Sequence, residues 1–118
     1  MMWEAEGVLV RFYGDLTNGD FFESNQELFL DERFPNSRYS LCDFSEVTQF
    51  SITSQAVMET AELDREHSKR NPNFKIATVV NDIVMFGLMR VYKTTTDQQA
   101  FETEVFETLE DARKWLEC

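Results

Sequence analysis

The sequence predicts an α/β fold, with helices packed on a mainly parallel sheet and elements in the order β-β-α-β-α-β-α-β-α. Two observations carry the prediction. Short runs rich in β-branched and aromatic residues alternate with helix-length stretches, the pattern that crossover connections impose on a parallel sheet. The run Ile76-Ala-Thr-Val-Val80 also lacks the polar alternation of a half-wet strand, so it reads as a strand covered on both faces.

Taken in order, Met2-Trp-Glu-Ala5 and the run at residues 8–13 flank Glu6-Gly7, where glycine would supply the positive φ of a tight hairpin turn. Thr17-x-x-Asp20 has the form of a capping box, and Phe21, Leu28 and Phe29 then fall on one face of a helix that ends near Phe34, before Pro35. Residues 39–44 read as a short strand and residues 46–50 as a loop. A helix is expected from about Ser51 or Thr53 to Arg70, stopped by Asn71-Pro72. After the strand at 76–80 comes a helix over residues 82–92, then a polar loop at 94–99 and an alternating edge strand at 102–106. Thr108-x-x-Asp111 opens the last helix, which turns Leu109, Ala112, Trp115 and Leu116 inward. Ligands of such sheets favour the crevice beyond the carboxyl ends of the strands, here residues 14–17, 43–53 and 80–82.

The length of 118 residues fits a single domain, residues 1–118. With 11 basic against 22 acidic residues the formal charge is -11, which repels phosphates and anionic headgroups and argues against nucleic acid as a partner. Cys42 and Cys118 show neither C-x-x-C spacing nor a dense disulfide pattern, so a reducing cytoplasm is expected. No apolar run approaches the roughly 20 residues that span a bilayer, and no leader is expected.

The helix at 82–92 carries apolar residues around its whole circumference. Ile83, Phe86 and Gly87 lie on one side, Val84, Leu88 and Val91 on a second, and Met85, Met89 and Tyr92 on a third. Packing on a sheet covers about one stripe of a helix. Part of the set Met85, Phe86, Leu88, Met89 and Tyr92 is therefore expected to remain accessible to a partner, a second copy of the chain or an apolar ligand, and methionines suit changing contacts.

No catalytic constellation stands out. Asp64 and His67 lie one turn apart and could form an acid-oriented base, but no nucleophile is placed beside them, and the pair reads as a solvated helix face. One histidine and scattered carboxylates lack metal-ligand spacing, so no metal or cofactor is expected. Asp43, at a strand end, reads as a loop cap.

The phrases Trp3-Glu4, Arg38-Tyr39, Leu41-Cys-Asp-Phe44, Ala61-Glu-Leu-Asp64, Asn71-Pro72, Lys75-Ile-Ala-Thr-Val79, Val105-Phe106 and Ala112-Arg-Lys-Trp-Leu116 resemble the bacterial SpoIIAA-like family of STAS/SEC14-type proteins. The resemblance covers nearly the whole chain and implies a SpoIIAA/STAS-like sheet. It implies kinship with anti-sigma-factor antagonists, which bind protein partners under the control of serine or threonine phosphorylation, and with SEC14-like proteins, which hold lipids in an apolar pocket. Laid without gaps on the antagonist pattern Asp-Ser-Ser-Gly, residues 51–54 read Ser51, Ile52, Thr53 and Ser54, which puts Thr53 at the phospho-acceptor position. Three of the four residues depart from the pattern, and a hydroxyl at a helix start is also what an ordinary N-cap needs, so Thr53 is expected to be structural. The expected function is a non-enzymatic cytoplasmic binding module for a protein partner or a second copy. The alternative is SEC14-like binding of an apolar small molecule or lipid, with peripheral membrane contact.

Overall fold

The structure, a computed structural model, describes residues 1–97 and 101–118, leaving aside the side chain of Asp97. Its elements are β1 (Met2–Trp3), β2 (Gly7–Thr17), α1 (Asn18–Leu30), β3 (Tyr39–Ser51), α2 (Ser54–His67), β4 (Lys75–Val79), α3 (Ile83–Asp97), β5 (Glu102–Phe106) and α4 (Leu109–Leu116), the expected order. They form a five-stranded sheet in the order β1-β2-β3-β4-β5, with β1 antiparallel to β2 and the other pairs parallel. The strands at 8–13 and 76–80 are interior as expected, with β3 between them, and β5 is an edge.

Helices cover the sheet unequally. Val8, Val10 and Ile76 point to the face where α1, α2 and α3 contribute Phe21, Leu28, Phe29, Val57, Ala61, Met85, Met89 and Tyr92. Leu9, Leu41, Ala77 and Val79 point to the opposite face, under Ala112 and Leu116 of α4. The alternation within β4 is thus between two cores, which is why it carries no polar face. A clamp closes the α4 side: Arg113 donates two hydrogen bonds to the Glu4 carboxylate, at 3.1 and 2.7 Å, and the Tyr39 hydroxyl donates to the same group.

Four expectations need correction. Gly7 is not left-handed; the glycine with positive φ is Gly14, at 65°, where β2 and β3 slip register. Gly7 is needed instead for a close approach, because a Cβ there would lie 2.5 Å from the Tyr39 carbonyl oxygen and 2.6 Å from its ring. Residues 46–50 and 14–17 are strand rather than loop: β2 and β3 stay paired as far as Thr17 and Ser51, well past the end of β4 at Val79. Each supplies the other's backbone partners, so polar side chains can stand in water without breaking the ladder. The helix α1 stops at Leu30, and Phe34–Asn36 form a separate 3-10 turn around Pro35. Finally, residues 94–97 continue α3, while 98–99 of the expected loop lie outside the described residues. The hydroxyls of Thr94, Thr95 and Thr96 bond back to the carbonyls of Arg90, Val91 and Tyr92 at 2.9, 2.9 and 3.0 Å, so these polar side chains are satisfied within the helix.

The close approach at Gly7 predicts that Gly7→Ala lowers the free energy of unfolding by about 1–3 kcal/mol, the usual cost of overpacking. Urea denaturation measures it, and an unchanged midpoint would place Tyr39 farther from that backbone than it is seen here.

Candidate functional site

Asp64 lies on the same stripe of α2 as Val57, Thr60 and Ala61, and that stripe faces the core, so its carboxylate is carried inward and fully enclosed. Its Oδ2 accepts from the Tyr92 hydroxyl of α3 at 2.7 Å and from Asn25 Nδ2 of α1 at 2.8 Å. Its Oδ1 has no hydrogen-bond partner among the described residues. Burial pushes the Asp64 carboxyl up to about 7, against the downward pull of the two hydrogen bonds. The Tyr92 phenol is likewise pushed well above its ordinary value by burial and by the neighbouring Asp64.

The solvated Asp64–His67 pair expected from the sequence is therefore not what the structure holds. No hydrogen bond or ion pair joins the two; the His67 ring stacks on Phe29 with centroids 5.4 Å apart, and burial followed by the Arg70 charge lowers its pKa. Asp43 does act as a local cap, accepting from Ser45 N at 2.9 Å, and it also pairs with Arg11 at 3.5 Å. Among the described residues no group of three or more His, Cys, Asp or Glu is placed to hold a metal.

Beside Asp64, under α3, lies a cavity of about 20 Å³ whose walls include Phe12, Phe21, Phe44 and Met89, with Cys42 and Tyr92 among its polar lining. That is room for about one water molecule. Burial pushes the Cys42 thiol up to about 11, so it stays protonated and is a poor nucleophile.

The outer side of α3 is different. Of the set in which an accessible part was expected, Met85, Met89 and Tyr92 are enclosed, while Phe86 and Leu88 are half-buried. The helix turns its flexible methionines into the core, and the large apolar residues it leaves in water are Ile83, 88% exposed, and Val84, 65% exposed. They stand in the first turn, capped by Asp82 Oδ1 accepting from Val84 N and Met85 N at 2.9 and 3.0 Å. An open groove of about 460 Å³ on one side is lined by Val80, Ile83, Phe86, Glu107 and Thr108. Another, of about 390 Å³, runs between Val84 and residues 47–50 of β3. Both lie at the carboxyl ends of the parallel strands, where the sheet topology places ligand crevices.

Thr53 is the N-cap of α2: its Oγ1 accepts from Ala56 N at 3.2 Å, and its own N–H donates to Asn18 Oδ1 at 3.0 Å.

With this geometry in view, a family model described as SpoIIAA-like matches residues 8–117, and the chain belongs to that family. No curated protein and no solved structure matches the chain. No helix among the described residues is long and apolar enough to cross a membrane.

Two outcomes follow from these environments. Thr53→Ala should cost on the order of 1 kcal/mol of stability through the lost cap and leave partner binding intact; binding that depends on phosphorylation of Thr53, with stability untouched by the change, would make it a switch instead. For Asp64, a raised folded-state pKa means that the native protein holds a proton the unfolded chain has released. Its contribution is therefore complete below about pH 4 and is lost as pH rises toward 7, at up to about 1.4 kcal/mol per pH unit. The stability difference between wild type and Asp64→Asn should shift in favour of the Asn variant across that window, measured by denaturant titration at stepped pH. A constant difference would mean that Asp64 is ionised throughout.

Proposed function

We propose that this protein is a non-enzymatic, cytoplasmic, STAS-type regulatory module that binds a protein partner through the first turn of α3 and the grooves beside it. The observation that carries the reading is the exposed pair Ile83 and Val84, two large aliphatic side chains projecting at the carboxyl rim of a strongly acidic molecule. Half-buried Phe86, Val47 and Phe50 continue the apolar surface into the grooves. Asp82 and Glu107 line the grooves and no cationic side chain does so among the described residues, which favours a partner with basic residues around an apolar contact. The placement of the sequence's ionisable candidates supports binding over catalysis: Asp64 is spent on helix packing, His67 on stacking against Phe29, and Cys42 is held as the thiol.

A second reading, uptake of an apolar ligand, is favoured by the aromatic cavity under α3. Its about 20 Å³ is far below the roughly 300–1,000 Å³ of small-molecule pockets, so this conformation supports the protein-binding reading better.

The double variant Ile83→Asp, Val84→Asp removes the apolar knob from solvent-exposed positions. It should melt within about 0.5 kcal/mol of wild type, as surface changes do, and lose at least tenfold in affinity for any partner that wild type retains. Equal retention by the variant would move the contact elsewhere. Native mass spectrometry of gently purified protein separates the second reading, which requires a co-purified lipid or other apolar mass.

A further inference from the structure

We infer that Asp64 is the latch that sets how firmly α3 closes over the core, and that ionising its carboxyl loosens the helix and so regulates the surface at its first turn. The latch follows from structure alone; only its regulatory consequence rests on the binding reading above.

One oxygen of Asp64 joins three helices. Oδ2 on α2 holds Tyr92 of α3 and Asn25 of α1, and the other oxygen, Oδ1, is enclosed without a partner among the described residues. A neutral carboxyl tolerates this arrangement. A carboxylate does not, because an enclosed charge with an empty acceptor loses its hydration without replacement. The remedy is to admit water, and the cavity beside Tyr92 and Asn25 already has room for about one molecule.

Of the two helices that Asp64 holds, α1 has a second anchor close by. Phe29 of α1 is locked into an aromatic cluster, with Phe34, Phe74 and Phe101 at centroid distances of 5.0, 6.3 and 5.2 Å. The large apolar side chains that α3 buries fully are Met85, Met89 and Tyr92, and Tyr92 is the one whose hydroxyl Asp64 holds. α3 is tied to β5 beyond Tyr92, where Lys93 Nζ donates to the Thr103 carbonyl at 2.9 Å and the Thr96 and Thr103 hydroxyls lie 3.1 Å apart, so hydrating Asp64 loosens α3 between its first turn and Tyr92. The neighbouring groups do not compensate the charge. Tyr92 from α3 and Cys42 from β3 are titratable but kept protonated by burial, and α1 offers the neutral amide of Asn25. On its own helix, Arg65 pairs with Glu62 at 3.2 Å and His67 faces Phe29 and Arg70.

Amide hydrogen exchange of the wild-type protein without any partner tests this, comparing peptides from α3 with peptides from β4 after correction for the intrinsic pH dependence of exchange. Protection of α3 should fall by up to roughly tenfold per pH unit between about pH 4 and 7 and level off above, and it should lie below that of β4 at every pH, because β4 opens only with the whole fold and follows the global stability. In Asp64→Asn the α3 profile should be flat; if that variant fails to fold, the wild-type contrast between α3 and β4 decides alone. A flat wild-type profile, equal protection of α3 and β4, or the same pH dependence in the Asn variant would each overturn the latch. Because no partner is present, that failure would leave the binding reading standing, just as a binding-competent Ile83→Asp, Val84→Asp variant would leave the latch standing.

Discussion

A carboxyl group placed inside the core is the constraint around which the helical layer of this protein is arranged. Asp64 occupies a position that α2 must turn inward to bury Val57 and Ala61, and an enclosed carboxyl has to find donors. Asn25 and Tyr92 supply them, which fixes α1 and α3 against α2. The aromatic and methionine side chains then pack around the junction. The arrangement is costly in one respect, since Oδ1 gains no donor among the described residues, and that cost gives the junction its sensitivity to protonation.

The opposite face of the sheet is built on a different economy. Leu9, Leu41, Ala77 and Val79 form a plain apolar floor beneath α4. The Glu4–Arg113–Tyr39 clamp ties the opening hairpin to the last helix, with the charge pair oriented bidentately. Several of the residues through which the chain resembles the SpoIIAA-like family, Glu4, Tyr39, Asp64 and Arg113 among them, are thus packing and tethering residues. Their roles explain why family membership defines the fold of this chain more sharply than its partner.

What could be read from the sequence was local chemistry. The caps at Thr17, Thr53 and Thr108 involve residues three positions apart, and each hydroxyl accepts from the expected backbone N–H, at 3.1, 3.2 and 3.1 Å. The doubly buried strand at 76–80 was legible because it carries no polar face. What escaped depended on distant partners: the extension of β2 and β3 relies on each other's backbone, and the burial of Asp64 relies on Asn25 and Tyr92 from two other helices. The alignment of Asp64 with Val57, Thr60 and Ala61 was the signal that could have placed it inside. In the helix at 82–92, the apolar circumference was visible but not its orientation, so which part of the set Met85, Phe86, Leu88, Met89 and Tyr92 would stay accessible could not be read, nor that Ile83 and Val84 would be the most exposed.

The central claim is that a carboxyl at the junction of three helices is held largely neutral by its surroundings, and carbon-13 NMR of the Asp64 side-chain carboxyl reads its protonation directly. The account predicts a titration midpoint near 7, far above the ordinary 3.8 of an aspartate. A midpoint at or below that ordinary value would show the carboxylate to be satisfied by groups or water that this structure does not place beside it, and would contradict the account.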